Sequence, residues 1–402
     1  MFKDKNIVLG VTGSIAAYKT ANLASMLVKQ HANVNVIMTK NAQEFIKPLV
    51  FETLTKNKCC VDTFERAAKF DVEHISLAQA ADIVLIAPAS ANVIAKLANG
   101  IADDMLTTTL LACECPKLIA PAMNTAMYNN PVTQKNIGIL KELGYKIIEP
   151  ASGLLACGDT GAGKMPEPEE LFDHIRYHLA GPKDMLGKKV IVTAGPTQEA
   201  IDPVRYITNH SSGKMGYALA QAAMLRGADV TLVSGQTSLT PPRFVKVIDV
   251  TSTQSMYDAV VSNFDDADYV FKAAAVSDYT PAETYDDKVK KKDGDMSIPL
   301  KRTPDILMEL GRRKKEGQYL CGFSMETRDL IENSSVKLEK KNADMIVANN
   351  LKDKGSGFRT DTNMITLITK DDVRPLPLMS KFDAANAIID AVLDSQKGDR
   401  SE

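Results

Sequence analysis

The sequence predicts an α/β protein built from two doubly wound domains with parallel sheets. The chain has 402 residues, more than the ~150 residues typical of one domain. Each half opens with a Val- and Ile-rich strand, a glycine-containing turn, a helix and a second strand. Apolar runs such as residues 83–86 are typical of parallel strands covered by helices on both faces. This order indicates right-handed βαβ units of the Rossmann type in both halves.

The first half begins with a predicted strand over residues 6–11, a helix over 15–30 and a strand over 34–39. Apolar runs at 83–86 and 117–120 predict two further buried strands. The remaining predicted elements continue the alternation: helices over 91–99, 103–113 and 125–143, a strand over 145–148, a Gly-rich segment over 151–164 and a helix over 167–179. A single parallel sheet therefore accounts for this half.

The second half begins with a predicted strand over residues 189–194, a helix over 213–226 and a strand over 229–234. Its other predicted strands cover 245–250, 269–274, 319–323, 345–348 and 364–368, and its other helices cover 253–263, 304–314, 329–341 and 384–393. Gly181 and Pro182 stop the preceding helix and have linker chemistry. We therefore predict domains over residues 1–188 and 189–402.

Composition argues against several classes of protein. The formal net charge of -2 gives no electrostatic footprint for nucleic acid or anionic lipid. The most apolar stretch is broken by Pro88 and ends at Lys96, short of the ~20 apolar residues that span a bilayer. The six cysteines include no C-x-x-C pair, and the N-terminus lacks the pattern of a signal peptide. We expect a cytoplasmic protein that binds neither nucleic acid nor membrane.

The first βα turn, Gly13-Ser14-Ile15, predicts a phosphate site, because backbone amides at a helix N-terminus bind anions. Many such turns bind no ligand, so the residues at the end of the second strand are needed to distinguish the kinds of nucleotide site. A dinucleotide fold places Asp or Glu there for the ribose, whereas this chain has Thr39-Lys40. The pattern favours a mononucleotide over NAD.

Three further segments carry polar side chains at predicted strand ends. Ser90 or Asn92 can cap the following helix, which is the structural alternative to ligand binding. Asn124 follows another strand, and Cys157 lies among glycines, a setting that favours a reactive rather than a packed thiol. His74 precedes a predicted helix, and composition alone would not nominate it.

Four motifs in this order resemble the homo-oligomeric flavin-containing cysteine decarboxylases. They are Gly-Ser-Ile-Ala-Ala-Tyr-Lys at 13–19, Ser-Ala-Asn at 90–92, Pro-Ala-Met-Asn at 121–124 and Ala-Cys-Gly-Asp at 156–159. The resemblance extends along the whole chain to the bacterial bifunctional phosphopantothenoylcysteine decarboxylase/phosphopantothenate–cysteine ligases. Lys164 departs from the arginine expected after the Gly-rich segment and loses its two-pronged contact. The resemblance implies a flavoprotein decarboxylase fold followed by a ligase fold.

The resemblance also implies the residues of the decarboxylase site. FMN would be held by Gly13, Ser14, Ile15, Thr39, Ser90 and Asn92. FMN would oxidise the cysteine thiol towards a thioaldehyde, so that the carbanion left by CO2 has an electron sink. Asn124 would bind the departing carboxylate, His74 would assist the oxidation, and Cys157 would protonate the enethiolate. A thiol with an ordinary pKa near 8.5 is mostly protonated at neutral pH, which suits that role.

In the second half, Ser212-Gly213-Lys214-Met215 is not a P-loop, because the hydroxyl residue required after the lysine is missing. The connection over 195–212 is longer than ordinary loops and is expected to be functional or disordered. Lysines 288, 290 and 291 are, by themselves, most simply a solvated loop.

When the family resemblance is taken into account, the second half resembles a CTP-dependent ligase. Its implied CTP-binding residues are Ala275, Asp278, Lys288, Pro304, Asp305, Ile306, Leu307, Phe323, Lys337 and Lys341. CTP and 4'-phosphopantothenate would form an acyl-cytidylate, from which the cysteine amine displaces CMP. Lys288 would stabilise the transition state, Asn209 would hold the acyl-cytidylate, and Mg2+ (or Mn2+) would accompany the phosphates.

Alternative readings remain open at this point. One is a flavin prenyltransferase or another flavin-dependent cysteine decarboxylase with an inactive ligase half, and another is an FMN-binding regulatory subunit. The family implies a homo-oligomer with trimeric decarboxylase units and dimeric ligase units, in which His74 can reach a neighbour's site. The product of both reactions in succession would be 4'-phosphopantetheine, a precursor in coenzyme A biosynthesis.

Overall fold

The computed structural model describes residues 1–64, 72–154, 158–290, 296–326, 329–350 and 360–398. The chain forms two compact units, Met1–Ala180 and Gly181–Glu402. The second unit thus begins before residue 189, where the sequence places the boundary. Met185 is buried, and its amide donates a 3.1 Å hydrogen bond to the carbonyl of Arg226, so the linker-like segment packs on the second unit.

The first unit alternates short strands and helices. Its strands are β1 (Asn6–Val11), β2 (Asn33–Met38), β3 (Cys59–Cys60), β4 (Ile83–Ala89), β5 (Lys117–Pro121), β6 (Lys146–Ile147), β7 (Ala151–Leu154) and β8 (Thr160–Lys164). Its helices are α1 (Ala17–Lys29), α2 (Pro48–Thr55), α3 (Glu73–Ala80), α4 (Ala91–Ala98), α5 (Met105–Ala112), α6 (Thr125–Asn129), α7 (Pro131–Glu142) and α8 (Pro168–Leu179), and a 3-10 helix covers Lys40–Glu44.

The main sheet of this unit has the strand order β3-β2-β1-β4-β5-β6, with every pairing parallel. Strand β1 is buried on both faces because its alternating side chains enter different cores. Leu9 packs with Leu23 and Leu27 of α1, whereas Val8 packs with Leu106 of α5 on the other side. The order reverses between β1 and β4, where ligands bind in doubly wound sheets.

Two predictions for this unit need correction. The helix expected over residues 125–143 is two helices, α6 and α7, because Pro131 has no amide hydrogen to continue the first. Asn130 caps the second helix by accepting a 2.9 Å hydrogen bond from the amide of Val132. The Gly-rich segment contributes an antiparallel hairpin, β7–β8, and α2 was not predicted.

The second unit follows the same plan. Its strands are β9 (Lys189–Ala194), β10 (Gln198–Ala200), β11 (Tyr206–Thr208), β12 (Asp229–Ser234), β13 (Lys246–Asp249), β14 (Tyr269–Lys272), β15 (Tyr279–Pro281), β16 (Leu300–Arg302), β17 (Tyr319–Glu326), β18 (Met345–Asn350), β19 (Thr362–Asn363), β20 (Thr366–Ile368), β21 (Val373–Pro375) and β22 (Met379–Ser380). Its helices are α9 (Lys214–Leu225), α10 (Thr253–Phe264), α11 (Ile306–Arg313), α12 (Leu330–Lys340) and α13 (Lys381–Gly398).

The large sheet of the second unit has the order β13-β12-β9-β14-β17-β18-β20-β21. The first six strands are parallel, and the last two add an antiparallel edge. The strand order reverses between β9 and β14, which places a second potential site beyond their carboxyl ends. The doubly wound α/β fold predicted for both halves is confirmed.

The long connection after β9 is ordered. It contains the antiparallel hairpin β10–β11, in which Glu199 pairs with Ile207. Glu199 is buried, and its carboxylate accepts hydrogen bonds of 2.8 and 2.7 Å from the amide and hydroxyl of Thr253. These two hydrogen bonds hold the hairpin against the start of α10. Within the described part of the chain, no helix is both long and apolar enough to cross a membrane.

Candidate active sites

The first candidate site lies at the carboxyl ends of β1 and β4. Thr12 is buried between them; its hydroxyl donates to the carbonyl of Pro88 (2.7 Å) and accepts from the amide of Ser90 (2.9 Å). These two bonds join the turn after β1 to the start of α4. The predicted residues Ser14 and Ser90 consequently lie at one edge of the sheet.

The structure places the remaining predicted flavin-site residues around the same edge. Gly13 and Ile15 lie between β1 and α1, and the side chain of Ile15 is exposed. Thr39 follows β2, and its amide donates a 3.0 Å hydrogen bond to the carbonyl of Val11. Asn92 is an exposed residue in the first turn of α4, whose N-cap is Ser90. The capping expected from the sequence is present, with Ser90 Oγ 3.4 Å from the amide of Val93.

The donor set at this edge fits a flavin mononucleotide. A Cβ added to Gly13 would lie 3.0 Å from the Cβ of Asn41, so glycine keeps this turn close to the segment after β2 without a tight contact. The turn leads into the N-terminus of α1, where amides and the helix dipole favour a phosphate. Hydroxyl and amide side chains from Ser14, Ser90 and Asn92 can serve polar atoms of the same ligand.

A buried lysine that the sequence did not nominate fixes the position of α1. Lys19 is almost fully buried; its ammonium group pairs with Glu167 at 2.7 Å and donates to the carbonyl of Met165 at 3.3 Å. The hydrogen bond from Lys19 is the main cause that lowers the pKa of Glu167. Lys164 lies 3.8 Å from the same carboxylate. Lys164 therefore contributes charge at a place where the family pattern leads us to expect arginine.

Asn124 lies where the Gly-rich hairpin β7–β8 meets the sheet. Its carbonyl oxygen accepts a 2.8 Å hydrogen bond from the amide of Ala126 and caps α6. Its amide nitrogen donates a 2.8 Å hydrogen bond to the carboxylate of Asp159. The hairpin is held beside it because the amide of Met123 donates to the carbonyl of Gly163 at 3.0 Å. Cys157 lies outside the described residues, between β7 and β8 in the chain.

His74 is the second residue of α3, within the helix rather than before it. Its neighbour Glu73 accepts a 3.3 Å hydrogen bond from the thiol of Cys60. The structure therefore places Asn124 beside the hairpin. Within the described residues of one chain, His74 is not hydrogen-bonded or ion-paired to Asn124 or to Ser90.

The second candidate site is a cavity of about 910 Å³ in the second unit, lined at the carboxyl ends of β14, β17 and β18 and at the start of α9. Every predicted ligase-site residue except Lys288 lines it: Asn209, Ala275, Asp278, Pro304, Asp305, Ile306, Leu307, Phe323, Lys337 and Lys341. These residues come from five separate stretches of sequence, and the fold alone brings them together.

Asn209 and Asp305 are held in defined orientations at the cavity. The amide nitrogen of Asn209 donates to the carbonyls of Ala275 (3.4 Å) and Val276 (3.1 Å). Asp305 caps α11 by accepting a 3.0 Å hydrogen bond from the amide of Met308, and it forms an ion pair with Lys341. Burial alone would raise the pKa of Asp305, but the hydrogen bonds from Lys341 and Met308 outweigh it, so the pKa is lowered.

Lys288 is exposed and is not among the cavity-lining residues. Its position depends on Asp202, a buried carboxylate that accepts a 3.1 Å hydrogen bond from the amide of Val289. Arg205 bridges the same two segments, with its guanidinium 2.5 Å from Asp202 and 3.0 Å from the carbonyl of Val289. The hydrogen bond from Arg205 is the largest cause holding the pKa of Asp202 below its usual range.

Sequence reasoning missed several polar residues of the cavity wall. Lys272 ends the apolar strand β14, where the sequence reads as a buried strand and gives no sign of a site. Lys381, Asn349 and Asn363 also line the cavity, and the two asparagine side chains are hydrogen-bonded to each other. The one available signal for Lys272 was a charged residue at the carboxyl end of a central parallel strand.

Together, the two units and their strand-end sites define a two-domain enzyme of the nucleotide-binding α/β class. Residues 1–180 match the family model described as Flavoprotein, and residues 185–395 match the DNA/pantothenate metabolism flavoprotein C-terminal domain. The chain belongs to the family of coenzyme A biosynthesis bifunctional proteins CoaBC. It is a bifunctional enzyme with a flavoprotein decarboxylase half and a ligase half.

Curated relatives support this assignment over the full length. The chain is 50% identical over 407 residues to the CoaBC protein of Bacillus subtilis, covering 100% of both chains. It is 42% identical to the CoaBC protein of Haemophilus influenzae, covering 97% of each. A cysteine/cysteine sulfinic acid decarboxylase from an unknown prokaryotic organism is 48% identical, over 87% of this chain and 99% of that protein.

Solved structures cover the two halves separately. The C-terminal domain of a CoaBC protein is 42% identical, covers 53% of this chain and 98% of its own, and has a TM-score of 0.46. The FMN-dependent cysteine decarboxylase SpaF is 34% identical, covers 41% of this chain and 92% of its own, and has a TM-score of 0.37.

Proposed function

We propose that this enzyme joins cysteine to 4'-phosphopantothenate at the expense of CTP and then decarboxylates the product to 4'-phosphopantetheine. The observation that carries the proposal is the full-length match to CoaBC at 50% identity. The two strand-end sites supply one location for each reaction. The cytoplasmic location expected from the sequence stays a prediction.

For the decarboxylase, we propose that Gly13, Ser14, Ile15, Thr39, Ser90 and Asn92 hold FMN. When bound, FMN would oxidise the substrate thiol, which provides an electron sink for the carbanion that decarboxylation leaves. The amide of Asn124 already donates to a carboxylate, that of Asp159, which supports its role as the binding group for the substrate carboxylate. His74 assists the oxidation from α3, and Cys157 delivers the final proton.

For the ligase, we propose that Lys337 and Lys341 bind the triphosphate and Asp278 the rest of the nucleotide. Lys337 lies in the last turn of α12, and Lys341 is the residue that ends this helix. Residues four apart lie on the same side of a helix, so both lysines can bind one phosphate chain. Asn209 holds the acyl-cytidylate, and Lys288 stabilises the charge that develops on the α-phosphate. The acyl carbon then forms an amide bond with cysteine, and CMP leaves.

A divalent cation belongs to the ligase reaction. Within the described residues, no group of three or more His, Cys, Asp or Glu side chains could hold a metal ion. Mg2+ commonly binds through one or two carboxylates plus the phosphates of its substrate. We therefore propose that Mg2+ (or Mn2+) enters with CTP and is held mainly by the phosphate oxygens.

We also propose trimeric decarboxylase units and dimeric ligase units. Tyr18, Leu49 and Phe45 of the first unit are 56%, 69% and 50% exposed, so these large apolar side chains are available to a subunit interface. A neighbour's His74 would then complete each flavin site. Multi-angle light scattering of the full chain measures the state, and a monomer at working concentration would contradict this part of the proposal.

Incubation with 4'-phosphopantothenate, cysteine and each nucleotide tests the proposed reactions. We expect pyrophosphate and CO2 release with CTP, and a product with the mass of 4'-phosphopantetheine. CO2 release from free cysteine without CTP or phosphopantothenate would instead support the activity named for the cysteine/cysteine sulfinic acid decarboxylase relative. A protein without bound flavin and without CTP turnover would contradict both halves of the proposal.

A glycine in the Gly-rich hairpin offers a test of the decarboxylase site. A Cβ at Gly163, whose φ is +129°, would lie 2.3 Å from the carbonyl oxygen of Met123. We expect Gly163→Ala to displace the hairpin from Asn124, to lower the decarboxylation rate at least tenfold, and to destabilise the first unit by about 1–3 kcal/mol. CO2 release and thermal unfolding measure the two effects.

The matched control is Gly138→Ala on α7, where an added Cβ meets no heavy atom within 4 Å. This control should keep full decarboxylation and gain slightly in stability. Pyrophosphate release by the ligase should be unchanged in both variants. If Gly163→Ala decarboxylates at the rate of the parent enzyme, the hairpin does not position the reacting groups.

A further inference from the structure

Lys272 lies at the reversal point of the second sheet. It is the last residue of β14, and its backbone pairs with Thr193 of β9 on one side and Gly322 of β17 on the other. Its side chain is half-buried and lines the 910 Å³ cavity. Lys272 is therefore a cation at the floor of the site, where doubly wound sheets bind their ligands.

The charges around Lys272 do not neutralise it. Lys337 and Lys341 of the α12 region repel its ammonium group, and Asp305 and Asp278 attract it. Asp305 already pairs with Lys341 and caps α11. In the described part of the chain, the ammonium group of Lys272 forms no hydrogen bond or ion pair. A half-buried charge in such a position costs folding free energy unless an anion binds to it.

These surroundings change the protonation of Lys272. Burial is the largest cause that lowers the pKa of Lys272 to about 8; the repulsion from Lys337 and Lys341 adds to it, and Asp305 and Asp278 oppose it. Below this pH the free protein carries the charge, and above it the side chain is neutral. An anion bound in the cavity would favour the charged form and raise the pKa again.

We propose that Lys272 binds the phosphate chain of the nucleotide, and that nucleotide binding is coupled to the protonation of this side chain. The inference rests on the proposed ligase function, because it takes CTP as the ligand of the cavity. It adds a third lysine to Lys337 and Lys341 as a binding group for the phosphate chain. Binding of CTP takes up a proton whenever Lys272 is neutral in the free protein.

The sign and size of the effect follow from linkage. If only the protonated form binds tightly, the affinity for CTP falls as pH rises through 8, and it is about tenfold weaker at pH 9 than at pH 7. A phosphate monoester titrates near pH 6, so the ligand itself contributes little in this range. Net proton uptake on binding should be close to none at pH 7 and close to one proton at pH 9.

Calorimetric titration of CTP with Mg2+ into the full chain tests this at pH 7, 8 and 9, in buffers of different ionisation enthalpy. Lys272→Arg keeps the charge at all three pH values, so it should bind tightly without pH dependence. Lys272→Met removes the charge and should bind roughly a hundredfold more weakly than the parent at pH 7, again without pH dependence. Lys246→Met, which removes an exposed lysine of β13, should keep the parent's pH dependence.

The outcomes separate the inference from the proposed function. No CTP binding at any pH would overturn the ligase proposal itself. Another outcome is that the parent protein binds CTP with an affinity that does not change with pH and without taking up a proton. That result would overturn only the role of Lys272, and it does not depend on the folding of the variants. The same holds if Lys272→Arg keeps the parent's pH dependence. If 4'-phosphopantothenate titrated alone shows the dependence and CTP does not, Lys272 serves the phosphate of the acyl substrate and the assignment to the nucleotide is wrong.

Discussion

Lys288→Gln is expected to abolish cysteine ligation while decarboxylation of supplied phosphopantothenoylcysteine continues. The amide of glutamine cannot offset the negative charge that grows on the α-phosphate during acyl-cytidylate formation. Removal of one such stabilising group typically lowers the rate by ~10²–10³-fold. Pyrophosphate release with CTP and phosphopantothenate measures the first reaction, and CO2 release measures the second.

This variant also tests how Lys288 reaches the cavity, because its side chain is exposed and is not part of the cavity wall. Asp202→Asn weakens the anchor of Val289 and should lower ligation to a smaller extent, without removing the lysine. Lys246→Gln serves as the control and should ligate normally. Loss of both activities in Lys288→Gln without unfolding would contradict the division of labour between the two units.

Cys157→Ser is expected to bind FMN and release CO2 but to stall before the final product. A serine hydroxyl is a far weaker acid than a thiol, so it cannot protonate the enethiolate at neutral pH. Loss of a general acid typically costs ~10²–10⁴-fold, which here falls on the last step alone. Mass spectrometry should find the unsaturated thiol in place of 4'-phosphopantetheine. The variant as isolated should show the flavin absorbance of the parent, and without oxygen this absorbance should bleach on turnover, because the stalled step leaves the flavin reduced.

Cys115→Ser is the control for this variant. Cys115 is half-buried after α5, and the described site residues of the first unit do not include it. We expect it to form the final product at the parent rate. A Cys157→Ser enzyme with full turnover would show that another group supplies the proton.

The fold of both halves could be predicted from the sequence because local patterns carry it. Residues 6–11, 189–194 and 229–234 were predicted as strands and are strands with those bounds, since short apolar runs between turns have few alternative structures. The family is identified from local motifs, and the resemblance to it implies the predicted residues of both sites. Missed elements such as α2 and β10–β11 are short or polar, and they depend on contacts with distant residues.

The sequence by itself determined the two α/β units, the family and the set of polar residues at the strand ends. Only the tertiary structure decided which of them meet: it joins Asn124 to the Gly-rich hairpin and gathers the ligase residues around one cavity, with Lys288 outside its wall. It also revealed Lys19 and Lys272, whose significance lies in burial and in neighbouring charges. Burial and electrostatic potential are sums over residues far apart in the chain, so no local pattern encodes them.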